Sequence, residues 1–119
     1  MHRSEFLKLL KQQLPELRSA IDRQGGLLHF EVEELRKCAQ RAIFDGDRVA
    51  LEICLRLSEE GYVKGDKKLR NAIDTSFVEG LDFVTPHNSY PWAWEMMPNV
   101  LKRLYQEFHG DHKIPTSNM

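Results

Sequence analysis

The sequence has little excess charge of either sign and no long apolar run. Its 17 Lys and Arg against 18 Asp and Glu give a formal net charge of −1, so no overall field favours nucleic acid or a membrane surface. The apolar runs are too short to span a bilayer. The N-terminal stretch MHRSEFLKLLKQQL has no continuous apolar region and does not resemble a signal peptide. We therefore expect a cytoplasmic protein with neither a membrane nor a nucleic-acid partner.

Cysteine is scarce, and several catalytic motifs are absent. Cys38 and Cys54 are the only cysteines, and no CxxC accompanies them. Because both fall on apolar helical stripes, two buried free thiols are favoured over a disulfide or a metal pair. The chain contains no GxxxxGK, GxGxxG, GxSxG or HExxH motif. We expect no catalytic residue, cofactor or metal site.

The histidines offer two weak exceptions. His109 and His112 flank Asp111 after the last predicted helix, where a fraying tail would hold metal geometry at a cost. His109 is better explained as a cation at a helix C-terminus. His87 lies in a loop and has no predicted nucleophile or oxyanion hole beside it.

Apolar residues recur at helical spacing along most of the chain, and no stretch shows sustained strand alternation. The pattern predicts an all-α single domain of six to seven helices over residues 1–110, followed by a flexible polar tail over residues 111–119. Short loops between neighbouring helices favour antiparallel hairpins like those of HEAT-type repeats, although no internal sequence repeat is present.

Capping residues, glycines and prolines predict the helix boundaries. Ser4 and Asp47 are predicted N-caps of the first and fourth helices, and Gly61 is predicted to end the fourth. The third helix is expected from about Phe30 to Phe44. The other predicted starts are Pro15, Asp66, Pro91 and Pro98. The last helix is predicted to bury Val100, Leu101, Leu104, Tyr105 and Phe108.

The stretch RNAIDTSFVEGLDF, residues 70–83, combines two patterns. Leu69, Ile73, Phe77 and Leu81 recur every four residues and predict one buried helix face. The other turns carry acids, and the whole window from residue 71 to 101 contains no Lys or Arg. An acidic surface with aromatic anchors suits a basic partner protein, since charge complementarity speeds encounter and aromatic rings supply contact area. The predicted partner-binding residues are Asp74, Glu79, Asp82, Tyr90, Trp92, Trp94 and Glu95.

A purely structural interpretation of this window is also open. In that case the acidic residues lie on the solvent-facing side of the helix, and each tryptophan taken singly is more often a core residue. Trp92 and Trp94 are two residues apart on one short helix, so both cannot easily point inward. One of them is expected at a surface or against a different helix.

The segments FDGDRVALEICLRLSEEG, DKKLRNAIDTSFVEGLDF and WEMMPNVLKRLYQEFHG resemble a family of small uncharacterised bacterial proteins with helical, HEAT-like domains. The likeness covers about residues 30–110. It is carried by Asn71, Ala72, Phe77, Glu79 and Leu81. The motif is a packing signature, so it implies a fold and is nearly silent on chemistry.

Some proteins of this sort are similar to immunity proteins encoded beside secreted polymorphic toxins. The resemblance therefore implies a non-catalytic protein that binds and neutralises a cognate toxin, for example a nuclease, through the acidic window. Two alternatives stay open. One is a small hydrolase that uses His87 with a nearby carboxylate. The other is a structural or adaptor module that forms a homo-oligomer through the face that carries the tryptophans.

Overall fold

The computed structural model describes residues 1–116. Within this range the chain is all-α, with seven α-helices, and its only β feature is an isolated antiparallel bridge between Val84 and Ser89. The all-α prediction is confirmed. The elements are α1 (Arg3–Gln13), a 3₁₀ turn (Pro15–Leu17), α2 (Arg18–Asp22), α3 (Leu28–Asp45), α4 (Arg48–Lys64), α5 (Lys67–Ala72), a π-helical segment (Ile73–Val78), α6 (Pro91–Met96) and α7 (Asn99–His109).

The N-terminus is tied to the body, and its cap differs from the prediction. Helix α1 begins at Arg3 with His2 at the N-cap, so the assignment of Ser4 as the cap was wrong. The backbone N–H of His2 donates to the Glu5 carboxylate at 3.1 Å, which satisfies a free donor at the helix start. The Arg3 guanidinium donates twice to the buried Glu31 carboxylate, at 2.8 and 2.6 Å. This paired geometry anchors α1 to α3.

Helices α3 and α4 form a hairpin through a two-residue turn. Gly46 has a φ of 72°, a left-handed conformation that glycine adopts without steric cost. The Asp47 carboxylate accepts from the backbone N–H of Ala50 at 3.0 Å, which confirms Asp47 as the cap of α4. Helix α3 begins at Leu28, two residues before the predicted start.

Gly61 does not end α4, which continues to Lys64. A Cβ added at Gly61 would lie 2.7 Å from Cε1 of Phe6 and 3.4 Å from Cδ1 of Ile73. This glycine therefore lets α1 and the π-helical segment approach the α4 backbone closely. The prediction that Gly61 ends the helix was wrong, because this glycine is required for close packing and does not terminate α4.

Cys38 on α3 and Cys54 on α4 are buried, free thiols in the core, as the sequence predicted. The neighbouring Cys38 thiol, together with burial, raises the pKa of Cys54, so this thiol stays protonated in the folded protein. The two cysteines pack between α3 and α4 as small apolar side chains do.

The predicted fifth helix is two elements in series. Helix α5 is capped by the Asp66 carboxylate, which accepts from the N–H of Leu69 at 2.9 Å. From Ile73 the chain widens into the π-helical segment, which contacts α3, α4, α5 and α7. Residues spaced by four drift about 40° per step around an ideal α-helix. The wider π turn offsets this drift, and all four apolar residues of the repeat are fully buried: Leu69, Ile73, Phe77 and Leu81.

The C-terminal third closes over this segment. The buried Tyr105 hydroxyl of α7 donates to the carbonyl of Leu81 at 2.8 Å. Burial, with a contribution from the charge of Asp82, raises the pKa of Tyr105 to about 12. The predicted flexible tail lies partly outside the described residues. In its described part, Lys113 pairs with Asp82 at 3.2 Å and Pro115 is buried.

No helix in residues 1–116 combines the length and the apolar character needed to cross a bilayer.

We predict that Gly61→Ala destabilises the fold even though alanine is the better helix former. The added methyl would displace the Phe6 ring, which is fully buried. Overpacking costs about 1–3 kcal/mol, against a gain of up to about 1 kcal/mol from helix propensity. Urea denaturation should show a net loss of about 1–2 kcal/mol in the free energy of unfolding.

Val63→Ala on the same helix is the control, because this side chain is 62% exposed. Its effect should stay within about 0.5 kcal/mol. In a Phe6→Leu background, Gly61→Ala should lower the free energy of unfolding by less than it does in the wild type. An unfolding free energy for Gly61→Ala equal to or above the wild-type value would contradict the account of this contact.

Candidate functional site

A small groove between the π-helical segment and α7 gathers carboxylates from distant parts of the chain. Its lining, referred to below as the acidic groove, consists of Asp74, Glu79, Leu104, Glu107 and Phe108, and its volume is about 200 Å³. Asp74 lies on the π-helical segment, and Glu79 follows directly at its C-cap. Helix α7 supplies the third carboxylate, Glu107. Three acids therefore face one opening.

His109 fixes one wall of the acidic groove. Its imidazole Nε2 lies 2.8 Å from the carbonyl oxygen of Glu79, so it donates a hydrogen bond there. The same ring packs on Tyr105 with a centroid distance of 4.3 Å. His109 lies in the last turn of α7, where it was expected, and this contact holds the end of α7 against the π-helical segment. Its role as a cation at the helix end stays a prediction.

The carboxylates of the acidic groove are crowded and lack a cationic partner. Burial raises the pKa of Asp74 above its ordinary value, and the charge of Glu107 raises it further. Burial also raises the pKa of Glu79, with a contribution from Asp74 and a smaller opposing one from His109. Within residues 1–116, none of the three carboxylates forms an ion pair. A cation placed here would gain from all three charges at once.

An exposed aromatic ring borders the acidic groove. Phe108 was predicted to point inward, but it is 59% exposed. Position 108 shares the helical face of Leu101 and Tyr105, which are fully buried, but it lies in the last turn of α7, where the core no longer covers this face. Leu104 is partly buried and gives the groove an apolar side. The site therefore combines negative charge with exposed apolar surface.

Asp82 belongs to a different environment from Asp74 and Glu79. Its carboxylate pairs with Lys113, as described above. Its backbone is held by the Gln40 side chain, which donates to the Asp82 carbonyl at 2.9 Å and accepts from its N–H at 2.8 Å. Asp82 is thus already paired, and the cation comes from beyond the sequence window that lacks Lys and Arg.

The three predicted aromatic contact residues are divided among separate contacts. Trp94 packs edge-on against Phe83 at 5.4 Å and carries Lys102 over its ring at 5.5 Å. Trp92 lies under the Arg48 guanidinium at 4.6 Å. Both tryptophans are partly buried, and they lie against different helices, Trp94 against α7 and Trp92 against α4, which agrees with the expectation that both cannot share one inward direction.

Tyr90 completes a second surface, referred to below as the aromatic face: Phe44, Arg48, Tyr90 and Trp92. Its ring lies 5.6 Å from the Phe44 ring, which is 49% exposed. Glu95 is exposed on α6. The structure thus brings Asp74 and Glu79 together and brings Tyr90 near the surface that carries Trp92, but Asp82 and Trp94 are engaged elsewhere.

Sequence reasoning missed Glu107 and misplaced Phe108. Both lie on α7, beyond the residue 71–101 window, so a search along the sequence could not join them to Asp74. A signal was present for Glu107 alone, because the buried Leu101 and Tyr105 fix one face of α7 and position 107 lies off that face. Phe108 shares the helical face of Leu101, so periodicity could not have predicted its exposure.

A family model described as a domain of unknown function, DUF7674, matches residues 7–111. The chain belongs to the DUF7674 family. No curated protein sequence and no solved structure matches it. The family membership agrees with the resemblance to small uncharacterised helical proteins, and it assigns no activity to this DUF7674 domain.

His87, the residue of the hydrolase alternative, is exposed in the loop before α6. Its ring forms no hydrogen bond with residues 1–116 of the DUF7674 protein. Within the same range, no group of three or more His, Cys, Asp or Glu side chains is arranged to hold a metal ion.

The raised pKa of Asp74 predicts a pH-dependent stability difference. A raised folded-state pKa contributes stability below the unfolded-state value, about 3.9 for Asp, and that contribution is lost as the pH rises through the folded-state value. At pH 7, Asp74→Asn should therefore raise the free energy of unfolding slightly, by about 0.3 kcal/mol because solvent screens the charges. The gain should vanish near pH 3.

Thermal unfolding of Asp74→Asn and wild type at both pH values tests this prediction. Glu52→Gln is a matched control, because Glu52 is exposed on α4 with Arg48 and Arg56 one turn to either side. Its Tm at pH 7 should be unchanged or lower. A lower Tm for Asp74→Asn at pH 7 would show that Asp74 stabilises the fold and is not crowded by like charge.

Proposed function

We propose that this DUF7674 protein is a cytoplasmic, non-catalytic binding protein whose acidic groove takes a Lys or Arg side chain of a basic partner protein. The observation that carries the proposal is the gathering of Asp74, Glu79 and Glu107 around one opening without an ion pair in residues 1–116. Burying and crowding like charges costs stability, and a bound cation removes that cost.

The shape of the acidic groove supports a side chain as its occupant. A volume of about 200 Å³ is below the ordinary range for small-molecule pockets. Lys and Arg carry an apolar stem and a charged head. In the acidic groove, the stem would lie along Leu104 and Phe108 while the head meets the carboxylates.

The aromatic face supports a larger contact area. Its Tyr90 and Trp92 rings are partly buried, so they are already held in place, and Phe44 leaves apolar surface open. Rings that are fixed before binding lose little entropy on association, which is why aromatic residues dominate interface energetics.

In its most specific form, the proposed partner is a bacterial toxin and the protein acts as its immunity protein. The support is the resemblance to small helical proteins encoded beside polymorphic toxins, together with the acidic groove. A nuclease toxin needs a cationic cleft for its phosphate substrate, and an acidic inhibitor surface complements such a cleft.

A second candidate is self-association through the aromatic face. It is favoured by the exposure of Phe44 beside the Tyr90 ring, since such side chains are often covered in oligomers. A mass that rises with protein concentration in sedimentation experiments would support it, and Phe44→Lys should then restore the monomer.

Capture experiments with two charge-matched triple variants test the acidic groove. The site variant is Asp74→Asn, Glu79→Gln and Glu107→Gln. The control variant removes three exposed carboxylates elsewhere: Glu16→Gln, Asp45→Asn and Glu52→Gln. The bait is the full chain at low salt, and the product of the gene immediately upstream is expressed with it as a candidate partner.

We expect wild type and the control variant to retain a basic protein that salt releases, and the site variant to lose it by at least tenfold in affinity. Loss of that charge complementarity should act mainly on the association rate. Equal capture by the site variant would show that the acidic groove is not the interface. If both variants lost affinity for the basic protein equally, the effect would come from net charge and not from the acidic groove.

A further inference from the structure

A second groove, lined by basic side chains where the first is lined by acidic ones, lies between α1 and the start of α2. Its volume is about 510 Å³, within the range of small-molecule sites. Four cationic side chains line it, no acidic side chain does, and Ser4 and Gln12 add neutral hydrogen-bonding groups. The four cations are Arg3, Lys8, Lys11 and Arg18. We propose that this basic groove binds a small ligand through a diphosphate or triphosphate chain.

Two of the four cations are already partly engaged, which fixes their position. Arg3 holds the Glu31 carboxylate through Nε and one terminal nitrogen, so its other terminal nitrogen keeps free donors. Lys11 donates one hydrogen bond to Asp22 at 2.5 Å, and its ammonium has two more protons to give. Both side chains are therefore oriented at the groove before any ligand arrives.

The other two cations supply uncompensated charge. Lys8 and Arg18 form no hydrogen bond or ion pair through their side chains within residues 1–116. Like charges that share a groove repel each other, and an anion that bridges them gains from both. The planar guanidinium of Arg18 also matches two phosphate oxygens at once.

The count of donors favours a phosphate chain over a single phosphate. A monophosphate would match the charges of Lys8 and Arg18 but would leave the spare donors of Arg3 and Lys11 unused. The lining contains no aromatic ring on which a base could stack. The groove should therefore recognise the phosphate chain itself, whether it belongs to a nucleotide or to an inorganic polyphosphate. A nucleic acid strand fits less well, because the formal net charge of the whole chain is −1.

Isothermal titration calorimetry of the full chain at low salt without added Mg²⁺ tests this assignment, with inorganic tripolyphosphate, ATP, AMP and sulfate as the probes. Tripolyphosphate and ATP should bind within about threefold of each other, and AMP and sulfate at least tenfold more weakly. Tight binding of ATP without tripolyphosphate would overturn recognition of the phosphate chain. So would equal binding of sulfate and tripolyphosphate.

The variant Lys8→Gln with Arg18→Gln should weaken tripolyphosphate binding at least tenfold. The matched control is Lys67→Gln with Lys68→Gln on α5, which removes the same charge from exposed positions outside the groove and should change binding less than twofold. All four side chains are exposed, so circular dichroism should show unchanged helix content. No binding at 1 mM tripolyphosphate (about −4 kcal/mol), or equal losses in both variants, would refute the basic groove as a site.

Discussion

The packing of the π-helical segment Ile73–Val78 is the contact on which the rest of the fold depends. Ile73 and Phe77 are fully buried, and the segment touches α3, α4, α5 and α7. Gly61 lets α4 approach it from one side, and the Tyr105 hydroxyl joins α7 to Leu81 just beyond it. A π-helix is rare and is frequently found at functional sites. Here the widened turn keeps the four-residue apolar repeat facing the core.

The same segment determines where the negative charge lies. The apolar face of Ile73 and Phe77 is turned into the core, so Asp74 is directed toward α7, where Glu107 approaches it. Burial raises the pKa of Asp74 and of Glu79, which means that the folded protein keeps charges where they are disfavoured. Charge arrangements that lower stability are typical of binding and catalytic sites, where they are kept for function. This supports a binding role for the acidic groove.

Local patterns in the sequence predicted most of the helices, because caps and periodicity act within a few residues. Asp47 and Asp66 do cap α4 and α5, and the two cysteines are buried as expected. The residues of the acidic groove could not be predicted in this way, because the groove depends on contacts between segments that are distant in the sequence. Lys113 reaches Asp82 from outside the window that seemed free of cations. Glu107 joins Asp74 only after α7 has packed, and Gly61 shows its role only beside Phe6.

The most direct test of the account is an NMR pH titration of the Asp74 and Glu79 side-chain carboxyl carbons, in wild type and in Glu107→Gln. Ordinary values are about 3.9 for Asp and 4.3 for Glu. We expect both pKa values to lie above these, and the pKa of Asp74 to fall part of the way back when Glu107 is neutralised, since burial remains. Ordinary values in the wild type, with no response to Glu107→Gln, would show that the carboxylates are solvated separately and that no acidic groove exists.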